Sequence, residues 1–281
     1  MTDFPLTFKC NNNCVTCINN TESFSSLIDP KAEEIKNIIE KINPNNDYLG
    51  FGGGEPTLRN EFFEILKYAR KKHPHLYILL TTNGRIFSYK KYAKRLSKFS
   101  SGNFRVAVAL YGNSPETHER ITRCRGSFLQ TVEGIKNLIH FKIPVEVRVI
   151  INRMNYTLLP NISKFSMDNF PGMDRFVFVN MKYTGNAMKN RDRVFVKISD
   201  VVPFVEKSLK VFDETDVRLF HFPLCTLPEK LRKISEGVTK REVNELTFVN
   251  SCERCKSKEE CSRIWKSYVD IAGEKEFKAI G

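Results

Sequence analysis

Short apolar runs with strand character alternate with amphipathic stretches of helical period up to about residue 220, and this alternation constrains the fold more than any other property of the chain. Repeated βα units lay consecutive strands side by side in parallel, because each helix carries the chain back across the sheet. The pattern predicts strands near Leu6–Phe8, Tyr48–Phe51, Leu76–Thr81, Phe104–Leu110, Val145–Ile151, Arg175–Met181 and Val217–Phe220. Helices are predicted over Lys31–Ile42, Asn60–Lys72, Tyr89–Phe99, Phe128–Phe141, Leu159–Phe165 and Val201–Phe212. About six such units make an α/β fold, a partial parallel (βα)6 barrel whose functional residues belong at the C-terminal ends of its strands. With 281 residues, 41% of them apolar, the chain can bury a core of that size.

Strand parity sorts the side chains of such a barrel. In Val145-Glu146-Val147-Arg148-Val149-Ile150-Ile151-Asn152 the odd positions are apolar and should meet the outer helices, which sends Glu146, Arg148 and Asn152 inward. That inner face either lines a polar cavity or pairs its charges with neighbouring strands, since buried charges need partners. In Phe104–Tyr111 the inward set is Arg105, Ala107, Ala109 and Tyr111.

Three of the eight cysteines, Cys10, Cys14 and Cys17, share one loop just after the first predicted strand. Their Cys-x3-Cys-x2-Cys spacing suits a [4Fe–4S] cluster held by three thiolates, which leaves one iron open to a ligand that is not protein. Zinc would want a fourth ligand nearby, yet no Cys or His follows until His73. Ordinary buried thiols are usually scattered, which speaks against three unrelated cysteines. After the second predicted strand comes Gly50-Phe-Gly52-Gly53-Gly54-Glu55-Pro56-Thr57-Leu58, a turn whose glycines let the backbone approach a ligand and whose Glu55 can accept hydrogen bonds from an ammonium group. Cysteine clustered in this way points to a reducing interior and metal binding rather than disulfides. No signal peptide and no stretch of the ~18 apolar residues a spanning helix needs can be read, so a cytoplasmic protein away from membranes is expected.

The cysteine loop, the Gly-Gly-Glu-Pro turn and Thr82-Asn83-Gly84 after the next strand together resemble the radical S-adenosylmethionine superfamily. The resemblance implies a [4Fe–4S] cluster with an open iron site on Cys10, Cys14 and Cys17, and S-adenosyl-L-methionine bound on that iron and by Gly53, Gly54, Glu55 and Asn83. Glu55 would anchor its amino group, Arg123 or Arg148 its carboxylate and Asn152 its nucleoside. Many members carry serine at the position of Ala109, where it touches the ribose; this chain departs from that pattern. The segment Glu116–Phe128, read as a loop, resembles a stretch found after the fourth strand of peptide-modifying members; in it His118 is read as a structural helix-end residue or a base.

Cys252-Glu-Arg-Cys255-Lys-Ser-Lys-Glu-Glu-Cys261, with Cys225 upstream, is a complete set of four thiols. It resembles the auxiliary-cluster (twitch/SPASM-like) domain of peptide maturases, in the short form that holds one further [4Fe–4S] cluster, because Trp265 stands where the long form continues with cysteine. A structural zinc on the same four thiolates is the alternative. The expected division is a radical S-adenosylmethionine partial barrel over 1–215 and a small C-terminal cysteine-rich iron–sulfur domain over 216–281, with Cys124 left over. Leu79–Arg85, Leu110-Tyr111-Gly112, Val145–Ile150 and Leu224-Cys225 look like maturases of His-Xaa-Ser peptide systems.

The resemblance thus implies reductive cleavage of S-adenosylmethionine to a 5′-deoxyadenosyl radical that abstracts hydrogen from a precursor peptide or protein substrate. Only nine residues precede Cys10, so a separate leader-binding partner, or presentation by the C-terminal domain, is expected. A reductase or a flavodoxin or ferredoxin would donate the electron. The formal net charge of +13 admits radical modification of a nucleotide or RNA as the other enzyme reading, although the Lys and Arg residues spread along solvated helix faces. A non-enzymatic iron–sulfur redox sensor is the third.

Overall fold

In the computed structural model, which describes residues 2–43, 48–100, 102–237 and 243–281, seven strands form one sheet. They are β1 (Thr2–Thr7), β2 (Leu49–Gly53), β3 (Ile78–Thr82), β4 (Phe104–Ala109), β5 (Val145–Ile151), β6 (Arg175–Asn180) and β7 (Asp216–Phe220). All neighbours pair in parallel, in sequence order. Between them run α1 (Thr21–Ser25), α2 (Ala32–Glu40), α3 (Phe62–Lys72), α4 (Lys90–Ser97), α5 (Pro115–Thr122), α6 (Ser127–His140), α7 (Leu159–Asn169), α8 (Gly185–Lys189), α9 (Arg191–Val194) and α10 (Ile198–Leu209). The α/β partial barrel read from the alternation is the fold. After β7 the chain adds α11 (Glu229–Arg232), α12 (Lys266–Ala272) and an antiparallel pair, β8 (Leu246–Thr247) and β9 (Ile264–Trp265). Among the described residues no helix is long and apolar enough to cross a membrane.

Strand parity holds in β5. Val145, Val147, Val149 and Ile151 are buried in the core with Ile135 and Leu138 of α6 and Ile162 of α7. Glu146 and Arg148 face the lumen, where an ion-pair network fills the base of the barrel. Glu146, 1% exposed, accepts from Arg148 Nε at 2.5 Å and lies 3.8 and 3.6 Å from Nη1 of Arg105 and Arg175. Asp174 holds Arg105, and Asp216 bridges Arg175 and Arg218. The lumen charges are thus paired with neighbouring strands, the second of the two arrangements their parity allowed.

α1, α5, α8, α9, α11, α12 and the β8–β9 pair lie outside the elements predicted from periodicity, being short, and β1 covers Thr2–Thr7 instead of Leu6–Phe8; α5 bears most on the site. The stretch 115–122, read as loop, is the helix α5. Ser114 caps it by accepting from Thr117 N, Pro115 occupies the first turn, and Thr117, His118, Ile121 and Thr122 form its buried face. His118 therefore lies within a helix and not at its end. Its Nδ1 accepts the Tyr111 N–H at 3.3 Å, its ring packs edge-on against Tyr111 and Phe128, and burial, helped by Arg85, pulls its pKa down to about 4.

Candidate active site at the strand ends

The loops after β1, β2 and β3 meet at the C-terminal edge of the sheet, and the cysteine loop lies among them. Its backbone is pinned from two sides. Asn13 N and Val15 N donate to the carbonyls of Thr122 and Ile121 at the end of α5, while Ala187 N of α8 donates to Cys17 O. Buried Asn186 adds Nδ2 bonds to Cys14 O, Thr21 Oγ1 and Asn13 Oδ1. Arg85 closes the other side, with Nη1 donating to Asn11 O, Asn12 Oδ1 and Cys124 Sγ and Nε donating to Gln130 Oε1. Cys124, left over in the sequence, is half-buried beside that guanidinium.

The three thiols of the loop share one electrostatic environment. Burial pushes Cys10 up to about 11, and Glu55 and Cys17 add to the rise. Burial also raises Cys14, with Cys17 and Cys10 contributing and the Tyr111 hydroxyl opposing; burial raises Cys17 as well. Desolvated thiols so placed hold their protons until a cation offsets the cost, as cluster iron would. Among the described residues no three His, Cys, Asp or Glu side chains converge closely enough to hold a single ion. Cysteine thiolates are the ligands an iron–sulfur cluster takes, so the donor chemistry of this loop fits a cluster.

The glycine turn fits against the loop by backbone alone. Gly54 N donates to Thr7 O and Glu55 N to Lys9 O. A Cβ on Gly54 would lie 2.2 Å from Lys9 O, and one on Gly53, whose φ is 112°, would lie 2.4 Å from Thr7 O. Neither position tolerates a side chain without moving the cysteine loop. Gly54→Ala is expected to cost about 1–3 kcal/mol of stability, as overpacking does, and to shed iron; urea unfolding and iron retention after anaerobic gel filtration measure the two effects.

Glu55 is 1% exposed. Its Oε1 accepts from Thr57 N, Thr57 Oγ1 and Thr82 Oγ1, and its Oε2 from Asn83 N at 2.7 Å. Burial raises its pKa while these bonds oppose the shift. The carboxylate thereby ties the β2 turn to the end of β3, and Asn83 extends the tie by donating from Nδ2 to Asn11 Oδ1 in the cysteine loop. Gly53, Gly54, Glu55 and Asn83 are thus gathered on the loop of Cys10, Cys14 and Cys17.

The remaining polar candidates are more dispersed. Arg123, exposed, ends α5 in the left-handed region and donates to Asn190 Oδ1 at 2.9 Å. Arg148 sits lower in the lumen, bonded to Glu146 with its guanidinium over the Phe220 ring. Asn152, fully buried, closes its own turn: Nδ2 donates to Ile150 O and Oδ1 accepts from Met154 N. Arg85 and Asn186 were missed by the sequence reading. Arg85 directly follows Thr82-Asn83-Gly84 and could have been noticed; nothing local marks Asn186, whose partners lie more than 160 residues away.

The C-terminal cysteines also share an environment. Cys225 lies in the 3₁₀ turn Leu224–Thr226, Cys252 in the turn Asn250–Arg254, and Cys255 ends that turn. Burial pushes Cys225 up to about 11, and Cys261, Cys252 and Cys255 all add to the rise. Burial raises Cys261, with Cys252 and Cys255 contributing. Cys252 and Cys255 thus act on both Cys225 and Cys261, which puts the four thiols in one neighbourhood. Trp265, 3% exposed, packs against His221 at a centroid distance of 4.4 Å.

Comparison with known proteins bears on the same region. The model of the Radical SAM superfamily matches residues 4–170, more than half of the chain. Fe-coproporphyrin III synthase of Methanosarcina barkeri is 29% identical over 185 residues, 66% of this chain and 44% of that protein. PqqA peptide cyclase of Bradyrhizobium diazoefficiens is 27% identical over 188 residues, 66% of this chain and 47% of that protein. The matched region thus spans less than half the length of these relatives. Among solved structures, native anSMEcpe with bound AdoMet and the Cp18Cys peptide superposes with a TM-score of 0.65 at 17% identity, covering 98% of this chain and 95% of that one. The two chains share a fold.

Proposed function

The chain belongs to the Radical SAM superfamily, and from that premise we propose that it is a radical S-adenosylmethionine enzyme that modifies a ribosomally made peptide or protein. The observation that carries the reading is the assembly of Cys10, Cys14 and Cys17 with the Gly53–Glu55 turn and Asn83 at the open end of the barrel. In this reading the three cysteines hold a [4Fe–4S] cluster with one open iron. When bound, cluster and S-adenosylmethionine together supply the reductive cleavage that yields a 5′-deoxyadenosyl radical and methionine. Among the described residues Glu55 Oε2 accepts the Asn83 N–H alone and retains acceptor capacity for the amino group. Arg123, on the rim, or Arg148, in the lumen, takes the carboxylate, and Asn152 lies at the end of β5 for the nucleoside. The barrel wall excludes water from the reacting centre.

The relatives that act on peptides support this substrate class. PqqA peptide cyclase is named for one, and anSMEcpe was solved with one bound. We take 1–215 as the catalytic barrel and 216–281 as the auxiliary part. The join is β7, which pairs along its length with β6. In the auxiliary part Cys225, Cys252, Cys255 and Cys261 hold a second [4Fe–4S] cluster, with structural zinc as the competing occupant. A separate leader-binding partner and a flavodoxin- or ferredoxin-like donor complete the system.

The test of the activity is anaerobic reconstitution, addition of dithionite and S-adenosylmethionine, and chromatography for 5′-deoxyadenosine. A fully iron-loaded protein that makes none would sink the reading. Cys252→Ala together with Cys255→Ala is expected to remove about four irons and leave about four in the barrel, with 5′-deoxyadenosine still formed. Loss of one zinc with the iron count unchanged would assign the C-terminal site to zinc instead.

A further inference from the structure

Between the two sets of cysteines the barrel mouth holds polar groups that the proposed chemistry does not use. His221, immediately after β7, adopts φ 62°, a left-handed conformation costly for a residue with a side chain. Such strain persists where the surroundings impose it and concentrates at functional sites. The surroundings can be named: Asn180 Nδ2 donates to His221 O at 2.9 Å, Trp265 Nε1 donates to Asn180 O, and the imidazole packs on the Trp265 ring. Among the described residues this clamp leaves His221 Nδ1 buried without a hydrogen-bond partner, and a buried polar atom left so needs an explanation, which a bound ligand group would supply.

Two cations face the same point. Lys182 Nζ lies 5.4 Å from the Trp265 ring centroid, and the Arg148 guanidinium lies over Phe220, the residue before His221. Both cations lower the His221 pKa, after burial, so the ring is neutral at physiological pH and can offer one N–H. Lys182 holds Glu245 at 2.6 Å; the lysine side chain is 11% exposed and the glutamate 47%. The cations that act on the His221 ring are Arg148 and Lys182, while the deeper arginines are met by Glu146, Asp174, Asp216 and Glu236. Two cations beside a polar nitrogen that no described residue uses favour an anion, and a half-exposed glutamate is an occupant a ligand can displace.

We propose that this part of the barrel mouth is a carboxylate subsite for the substrate peptide, in which Lys182 and His221 bind an aspartate or glutamate side chain that takes the place of Glu245. The assignment rests on the peptide-modifying reading and deepens it by naming a residue class the substrate carries beside the reacting position. The site lies where it would matter. Lys182 is two residues from Thr184, whose hydroxyl donates to Ile18 O just past the first cysteine set, and His221 and Trp265 each lie four residues from a C-terminal cysteine. A carboxylate also occurs on S-adenosylmethionine, and the experiment separates the two sources.

The reconstituted full chain, labelled with ¹⁵N-histidine at its five histidines, would be titrated with Nα-acetylglutamate amide or Nα-acetylglutamine amide, with and without saturating S-adenosylmethionine. The expected result is a saturable shift of the His221 ring nitrogens by the glutamate probe alone, unaffected by S-adenosylmethionine. Lys182→Met should weaken the probe by about tenfold or more, as loss of a charge-assisted bond does. Glu245→Gln should tighten it about two- to fivefold, because a partly exposed pair no longer competes; misfolding cannot produce that gain. An equal response to the glutamine probe, no tightening in Glu245→Gln, or competition by S-adenosylmethionine overturns the subsite. The same preparations would be assayed for 5′-deoxyadenosine, so that failure of the radical reading is seen separately.

Discussion

Replacing Cys10, Cys14 and Cys17 together by alanine is expected to lower bound iron from about eight to about four per chain and to abolish 5′-deoxyadenosine formation. The expectation follows from the independence of the two thiol sets. The first loop is held by backbone bonds to α5 and α8 and by Arg85, and the substitution removes only the Asn12 N–H bond to Cys10 Sγ and the contact of Cys14 with the Tyr111 hydroxyl. The scaffold should therefore survive the substitution. The three side chains lie at the open end of the barrel, Cys10 exposed and Cys14 and Cys17 half-buried, so the variant should unfold about as readily as iron-free wild type. Iron and sulfide analysis with product chromatography reads the result. Iron unchanged by the triple substitution, or 5′-deoxyadenosine formed by the variant, would place the redox centre elsewhere.

The largest loss of stability is expected from Glu146→Gln. Glu146 is almost fully buried and is the common partner of Arg105, Arg148 and Arg175. The amide matches its shape but not its charge, so three lumen cations lose their shared counterion. Breaking a buried pair in this way costs about 3–5 kcal/mol, whereas an exposed pair such as Lys164–Asp168, with side chains 68% and 55% exposed, contributes about 0.3–0.5 kcal/mol. Urea unfolding of Glu146→Gln and Lys164→Ala in parallel tests the contrast. A loss below about 1 kcal/mol for Glu146→Gln would mean that water or Asp174 and Asp216 carry the arginines without it. The same network explains why Arg148, a candidate for the carboxylate of S-adenosylmethionine, is tethered low in the lumen while Arg123 stands on the rim.

The elements that periodicity marks most strongly sit where the pattern puts them. β5 covers Val145–Ile151 as read, because seven residues alternating between an outer apolar face and a polar lumen face leave no other register. The parallel order of all seven strands follows from the alternation with helices, since each crossover returns the chain to the same end of the sheet. The cysteine spacing and the glycine turn were legible for a related reason: close backbone approach and cluster ligation demand those residue types at short separation. Short-range chemistry writes itself into adjacent letters.

Whatever depended on residues far apart in the chain required the fold. α5 passed for loop because its buried face, Thr117, His118 and Ile121, is not an apolar stripe until Tyr111 and Phe128 pack against it. The choice between a polar cavity and an ion-pair network inside the barrel turned on Arg105 and Arg175, which pair with Glu146, and on Asp216, which pairs with Arg175; they belong to three other strands and carry no mark of these partners. Asn186 reached the cysteine loop, and His221 met Lys182 and Trp265, only by crossovers of tens of residues. The sequence by itself determined the parallel α/β barrel and the loop that would carry the cluster, because both rest on local period and spacing. Only the tertiary structure decided which charges neutralise one another and which buried polar atoms of the described residues are left without a partner, because burial and counterions are properties of what surrounds a residue in space.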